Sequence, residues 1–257
     1  MDFSEQVADN IVQLGQSTTT RHRALEWMVA TAELNYSYNF RWLGLPIIQY
    51  PQDTVASQEM AWLVKPDLII ETGIARGGSL ALSASLLMMC DFADAQRDGI
   101  LLDPQRPKRK VIGIDIDIRP HNRSALEAHP LYGYMELIEG SSVDQLVIAK
   151  VREVAVDYER VLVMLDSNHT HEHVLAELEA YAPLVSEGSY CIVYDTVIED
   201  MPPGSFPDRP WDVGNNPKTA VHEFLGAHPE FAIDRSIQDK LQITVAPDGY
   251  LKRIGGQ

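Results

Sequence analysis

Five short apolar runs rich in β-branched residues, at 67–72, 110–115, 134–139, 160–165 and 189–195, alternate with segments of helical period at 79–92, 122–128, 143–155 and 172–184. A strand covered on both faces reads as a near-continuous apolar run, and parallel strands need helix-length crossovers between them. The alternation therefore specifies an α/β fold with a mostly parallel sheet between two helical layers. In 172–184 the buried stripe is explicit, with Val174, Leu175, Leu178 and Tyr181 at helical spacing. Pro217 suits the first turn of a further helix. The chain's end reads as a β-hairpin: 240–246, a turn at Pro247-Asp248-Gly249, then 250–254.

Two segments stand outside the alternation. Residues 1–66 read as a helical extension packed on the core, leaving 67–257 as the main domain. The loop 197–216 carries four prolines and two glycines, a length and composition expected of a lid over a binding site. Lys and Arg number 21 against 37 Asp and Glu, a formal charge of −16. Such a surface repels phosphate backbones, which excludes nucleic acid as a general partner. The one basic cluster, Arg106, Lys108, Arg109 and Lys110, reads as a solvated loop before a strand. Cys90 and Cys191 both lie in apolar runs and read as buried thiols. With no apolar run of about 20 residues and a polar N-terminus, no membrane association and a cytoplasmic location are expected.

The chemistry gathers after the strands. Glu71-Thr72-Gly73-Ile74-Ala75-Arg76-Gly77-Gly78-Ser79 follows the first strand and opens a helix. Glycines let backbone approach a ligand, and a helix N-terminus offers free N–H groups to an anion; for S-adenosylmethionine (AdoMet) that anion is the methionine carboxylate. The spacing is not G-x-G-x-x-G, which argues against a dinucleotide oxidoreductase. The second strand ends in Asp115-Ile116-Asp117; Asp115 is placed to accept both hydroxyls of a ribose, with Asp117 as alternative ligand or helix cap. After the third, Ser141 and Ser142 lie beside an adenine or cap the next helix. Asp166 and Asp195 end the fourth and fifth, where one crevice collects both carboxylates and suits a hard cation such as Mg²⁺.

His169, His171 and His173 follow Asp166. His169 is the candidate base for an acceptor hydroxyl, while His171 and His173 read as capping the next helix or facing solvent. The same three histidines admit a metal-dependent hydrolase, although their spacing is one residue short of H-x-H-x-D-H. An iron oxygenase lacks a third ligand after His228-Pro229-Glu230.

Taken with Asn35–Phe40 (Asn35-Tyr36-Ser37-Tyr38-Asn39-Phe40), Gln49-Tyr50-Pro51-Gln52-Asp53, Gly214-Asn215-Asn216-Pro217-Lys218-Thr219 and the closing 241–253, these motifs resemble the cephalosporin hydroxylase/rhamnosyl O-methyltransferase family. The resemblance spans about 35–254. It implies a Rossmann-like class I methyltransferase: a mostly parallel seven-stranded sheet with an antiparallel last strand and helices on both faces. It implies an AdoMet site at Glu71, Thr72, Gly73, Gly77, Gly78, Ser79 and Asp115, with Ser142 and Asp166 as further cofactor-binding candidates. Asp166 and Asp195 match a Mg²⁺ site of metal-dependent relatives, and His169, beside Asp166, falls where the catalytic base is expected. One departure matters: those relatives usually place a second carboxylate or amide beside the last aspartate, where this chain has Tyr194 and Thr196. The expected activity is O-methylation of a hydroxyl on a sugar, nucleotide sugar or natural product by a homo-oligomeric enzyme. The competing readings are the hydrolase and a non-catalytic AdoMet-binding subunit.

Overall fold

The computed structural model describes residues 2–104 and 106–255, so residues 1, 105 and 256–257 of the two expected segments lie outside it. At its centre β3 (Leu68–Thr72) and β6 (Val161–Leu165) are buried at every position. They pair in parallel, Leu68 opposite Val161 and Thr72 opposite Leu165. On the other side of β3 come β4 (Lys110–Asp115) and β5 (Met135–Glu139), also parallel. Beyond β6 lie β7 (Tyr190–Val193), then β9 (Tyr250–Arg253) and β8 (Phe231–Ile233), with β9 antiparallel to both neighbours. The order β5-β4-β3-β6-β7-β9-β8 reverses direction at β3, and the crevice beyond the C-terminal ends of β3, β4 and β6 is where such sheets bind ligands.

Two apolar layers cover the sheet. One packs Ile148 and Val151 of α6 (Gln145–Ala155), Val174, Leu178 and Tyr181 of α7 (His171–Tyr181), and Phe224 of α8 (Pro217–Ala227) against Ile70, Ile112 and Val163. The other packs Leu80, Ala84 and Leu87 of α4 (Gly78–Asp98) against Ile69, Val111 and Met164. α4 is long and apolar enough to cross a bilayer by length and composition alone, and most of it is buried in this layer. It runs six residues past the expected end at 92. Before the sheet come α1 (Phe3–Gln16), α2 (Thr18–Ala32), a short hairpin of β1 (Phe40–Trp42) and β2 (Leu45–Ile47), and α3 (Pro51–Val64). α5 (Pro120–Glu127) links β4 to β5.

Two expectations are corrected. The 240–246 segment is no strand: α9 (Arg235–Leu241), capped by the Asp234 side chain, fills its start, and Phe231–Ile233 pairs with β9 instead. The alternation in Ile243-Thr244-Val245 misleads because the buried Asp53 carboxylate captures these groups: it accepts from the Val245 N–H at 3.1 Å, the Tyr250 hydroxyl at 2.9 Å and the Thr244 hydroxyl. Nor is Arg109 solvated; it is buried and its guanidinium bonds Asp91, Asp94 and the Pro66 carbonyl. The 197–216 loop opens with a 3₁₀ turn over Thr196–Asp200, and Val197, Ile198 and Met201 are buried. Cys90 and Cys191 are buried free thiols.

Candidate active site

The glycine loop is tied to both neighbouring strand tips. The Gly73 N–H donates to the Ile114 carbonyl at 2.8 Å. Asp115 Oδ2 accepts from the Ile74 and Ala75 N–H groups at 2.9 and 3.0 Å, and Oδ1 from the Asp117 N–H at 3.1 Å. Asp115 therefore fixes the loop, and one acceptor site, on Oδ1, remains for a ribose hydroxyl. Asp117 itself is exposed. α4 starts after Gly77, whose left-handed backbone (φ 85°) turns the chain, and no side chain caps the helix. Its first-turn N–H groups are thus available to an anion.

Behind this loop Glu71 is buried, accepting hydrogen bonds from the Ser79 and Ser83 hydroxyls. Burial pushes its carboxyl up to about 7 against those two bonds. Burial likewise raises Asp53 to about 6. Both groups hold their proton more tightly folded than unfolded, so stability is complete below the unfolded pKa and is lost as pH rises through the folded one. The melting temperature is therefore expected to fall between about pH 4 and 7. Glu71→Gln removes a shift from 4.5 to about 7, worth about 3 kcal/mol above that window. Thermal melts of the variant should be flatter with pH and higher than wild type at pH 8; parallel curves would refute the assignment.

A cavity of about 580 Å³ opens over the strand tips, lined by Gly73, Gly78, Ser79, Asp166, His169 and Asp195 among others. Of the residues expected to hold AdoMet, Glu71, Thr72, Gly77, Asp115 and Ser142 stand outside this lining. Asp166 follows β6, and Asp195 follows β7 with a left-handed backbone (φ 56°). Donor atoms of Asp166, His169 and Asp195 all lie within 4.8 Å of one another, and His169 Nε2 is 3.2 Å from Asp195 Oδ2. The Trp211 ring meets the His169 imidazole edge-on, with centroids 4.7 Å apart. Burial, then the Asp195 and Glu71 carboxylates, push Asp166 well above the usual carboxylate range. The two crowded carboxylates fit a divalent cation with a preference for oxygen, which would offset that repulsion.

The other histidines go elsewhere. His171 Nδ1 meets the Thr219 hydroxyl at 2.8 Å and Nε2 the Glu223 carboxylate at 3.1 Å, clamping α7 to α8. His173 Nε2 lies 3.1 Å from Ser142 Oγ and 3.2 Å from Ser167 Oγ, beside the buried Glu177. Neither caps α7 through its side chain, contrary to expectation, and the three imidazoles share no centre, which removes the hydrolase. Ser141 and Ser142 are not caps either; Asp144 caps α6, accepting from the Leu146 N–H at 2.8 Å. Two residues the sequence left without a role line the cavity, Trp211 and Gln49.

A doubly wound sheet of this order, an uncapped glycine-loop helix and a ribose-competent aspartate at the second tip define an AdoMet-dependent methyltransferase of class I. The family model described as Rhamnosyl O-methyltransferase/CmcI matches residues 34–254, and the chain belongs to that family. A Rhamnosyl O-methyltransferase of Mycobacterium tuberculosis (strain ATCC 25618 / H37Rv) is 26% identical over 217 residues, covering 82% of this chain and 77% of its own. That of Mycobacterium leprae (strain TN) is 25% identical over 214 residues, covering 82% of each. Among solved structures, CmcI with Mg and SAM superposes with a TM-score of 0.56 at 20% identity, over 85% of this chain and 78% of that one. The apo structure of CalS11, a TDP-rhamnose 3′-O-methyltransferase, gives 0.52 at 17% identity, over 98% and 94%.

Proposed function

We propose that this chain transfers the AdoMet methyl group to a hydroxyl of a sugar-bearing acceptor, with His169 as the base. The observation that carries the reading is one cavity holding both the glycine-loop helix N-terminus and the His169–Asp195 pair. Methyl transfer is in-line displacement at a sulfonium, so the protein's work is to position the hydroxyl and remove its proton. Held through Nε2 by Asp195, His169 keeps Nδ1 as the basic nitrogen. The hydroxyl proton passes to that nitrogen, the oxygen–methyl bond forms, and S-adenosylhomocysteine (AdoHcy) leaves. Asp166 and Asp195 would hold Mg²⁺, which when bound supplies Lewis acidity toward the acceptor oxygen. The rhamnosyl and TDP-rhamnose specificities of the relatives support a sugar acceptor.

The test is methyl transfer from labelled AdoMet to nucleotide sugars, free sugars and glycosides. Failure of the wild-type protein to bind AdoHcy in calorimetry would end this reading. The expected dependence on Mg²⁺ is checked separately: exhaustive chelation should abolish turnover and added Mg²⁺ restore it. Full activity after chelation would leave Asp195 solely as the partner of His169.

A further inference from the structure

We propose that Gln49 is a cofactor-binding residue whose amide oxygen accepts a hydrogen bond from the α-ammonium group of the methionine moiety of AdoMet. This rests on the reading of the chain as an AdoMet enzyme. Gln49 is 4% exposed and lines the cavity, yet its Oε1 is buried with no hydrogen-bond partner. A buried acceptor left unmade is costly, so a native site of this kind is built for a donor that arrives. Gln49 shares this cavity wall with Asp166.

Position selects the donor. The segment before Gln49 crosses the start of α4 so closely that a Cβ on Gly78 would lie 2.3 Å from the Pro46 carbonyl oxygen and 2.6 Å from Ile47 Cα. Gln49 thus sits between the N-terminus of α4 and the tip of β6. The helix N-terminus takes the methionine carboxylate, and the ammonium is carried on the same carbon. Among the reaction's components, that ammonium is the cationic donor group that reaches this corner. Ribose hydroxyls belong at Asp115 on the far strand, and the acceptor approaches from the side of His169 and Trp211. The motif also becomes readable: Pro51 occupies the first turn of α3 and Asp53 anchors it beneath, which holds the preceding Gln49 in the wall.

Gln49→Met keeps the length and removes the amide. Calorimetry should show AdoHcy bound about 10- to 100-fold more weakly by the variant, the range for one hydrogen bond to a charged group. The same measurement with the deamino analogue, S-adenosyl-4-thiobutyrate, should show equal affinity for wild type and variant. Equal losses for both ligands mean that the variant has damaged the site generally, and overturn the assignment. No loss for AdoHcy overturns it too, as does weakened Mn²⁺ binding with AdoHcy affinity intact, which would make Gln49 a metal ligand. Wild-type protein binding neither nucleoside would sink the methyltransferase reading itself, a result separable from all of these.

Discussion

His169→Ala should lower kcat by about 10²–10⁴-fold, the usual contribution of a positioned base. AdoHcy affinity should change little, because the cofactor contacts expected at the glycine loop and Asp115 lie on β3 and β4, while His169 follows β6. His171→Ala is the matched control. Both of its ring nitrogens are spent on α8, through Thr219 and Glu223, so its loss should appear as a lower melting temperature with kcat nearly unchanged. Asp195→Asn adds a second discrimination. An amide can still accept from His169 but carries no charge, so it should lower kcat and weaken binding of a divalent cation together if both duties are real. A His169→Ala enzyme with wild-type kcat across pH would place the base elsewhere. If His171→Ala were the damaging change, the assignment would be wrong by two residues while methyl transfer itself stood.

The strands that carry the site were legible because burial on both faces leaves an unbroken apolar run, as in Leu68-Ile69-Ile70 and Val161-Leu162-Val163. Tip logic then collected Asp166 and Asp195, since neighbouring parallel strands end together. What failed to read out depends on partners far away in sequence. Val245 alternates with its neighbours as a strand residue would, but its N–H is taken by Asp53, 192 positions earlier. Arg109 resembles a surface charge until Asp91 and Asp94 of α4 surround it. His171 and His173 look equivalent to His169 in the sequence, and only the packing of α8 and of Ser142 against α7 separates them. Gln49 was visible as part of a motif, with no hint that its oxygen would be left unpaired in the cavity wall.

Gly73→Ala should be the most damaging substitution in the glycine loop, destabilising by about 2–5 kcal/mol and abolishing AdoHcy binding. Two costs add. Gly73 has φ 86°, a left-handed conformation that an L side chain resists by roughly 1–2 kcal/mol. A Cβ there would also sit 2.0 Å from the Asp166 carbonyl oxygen and 2.6 Å from its carbon, which are backbone atoms that no rotamer change can clear. Nor is the backbone free to yield. The Gly73 N–H is held by Ile114 at 2.8 Å, and the Asp166 N–H donates to the Thr72 carbonyl at 3.0 Å. Relief requires parting the ends of β3 and β6, which displaces Asp166 from His169 and Asp195 in the same movement. Gly188→Ala isolates the first cost, because Gly188 has φ 79° and a Cβ added to it would meet nothing within 4 Å. It should lose only the conformational term, about 1–2 kcal/mol, and keep full cofactor affinity. Urea denaturation of both variants with AdoHcy calorimetry makes the comparison. Equal stabilities for the two would mean that the strand tips separate at little cost, and the close approach of Gly73 to Asp166 could not then be what fixes the distance between the cofactor loop and the catalytic residues.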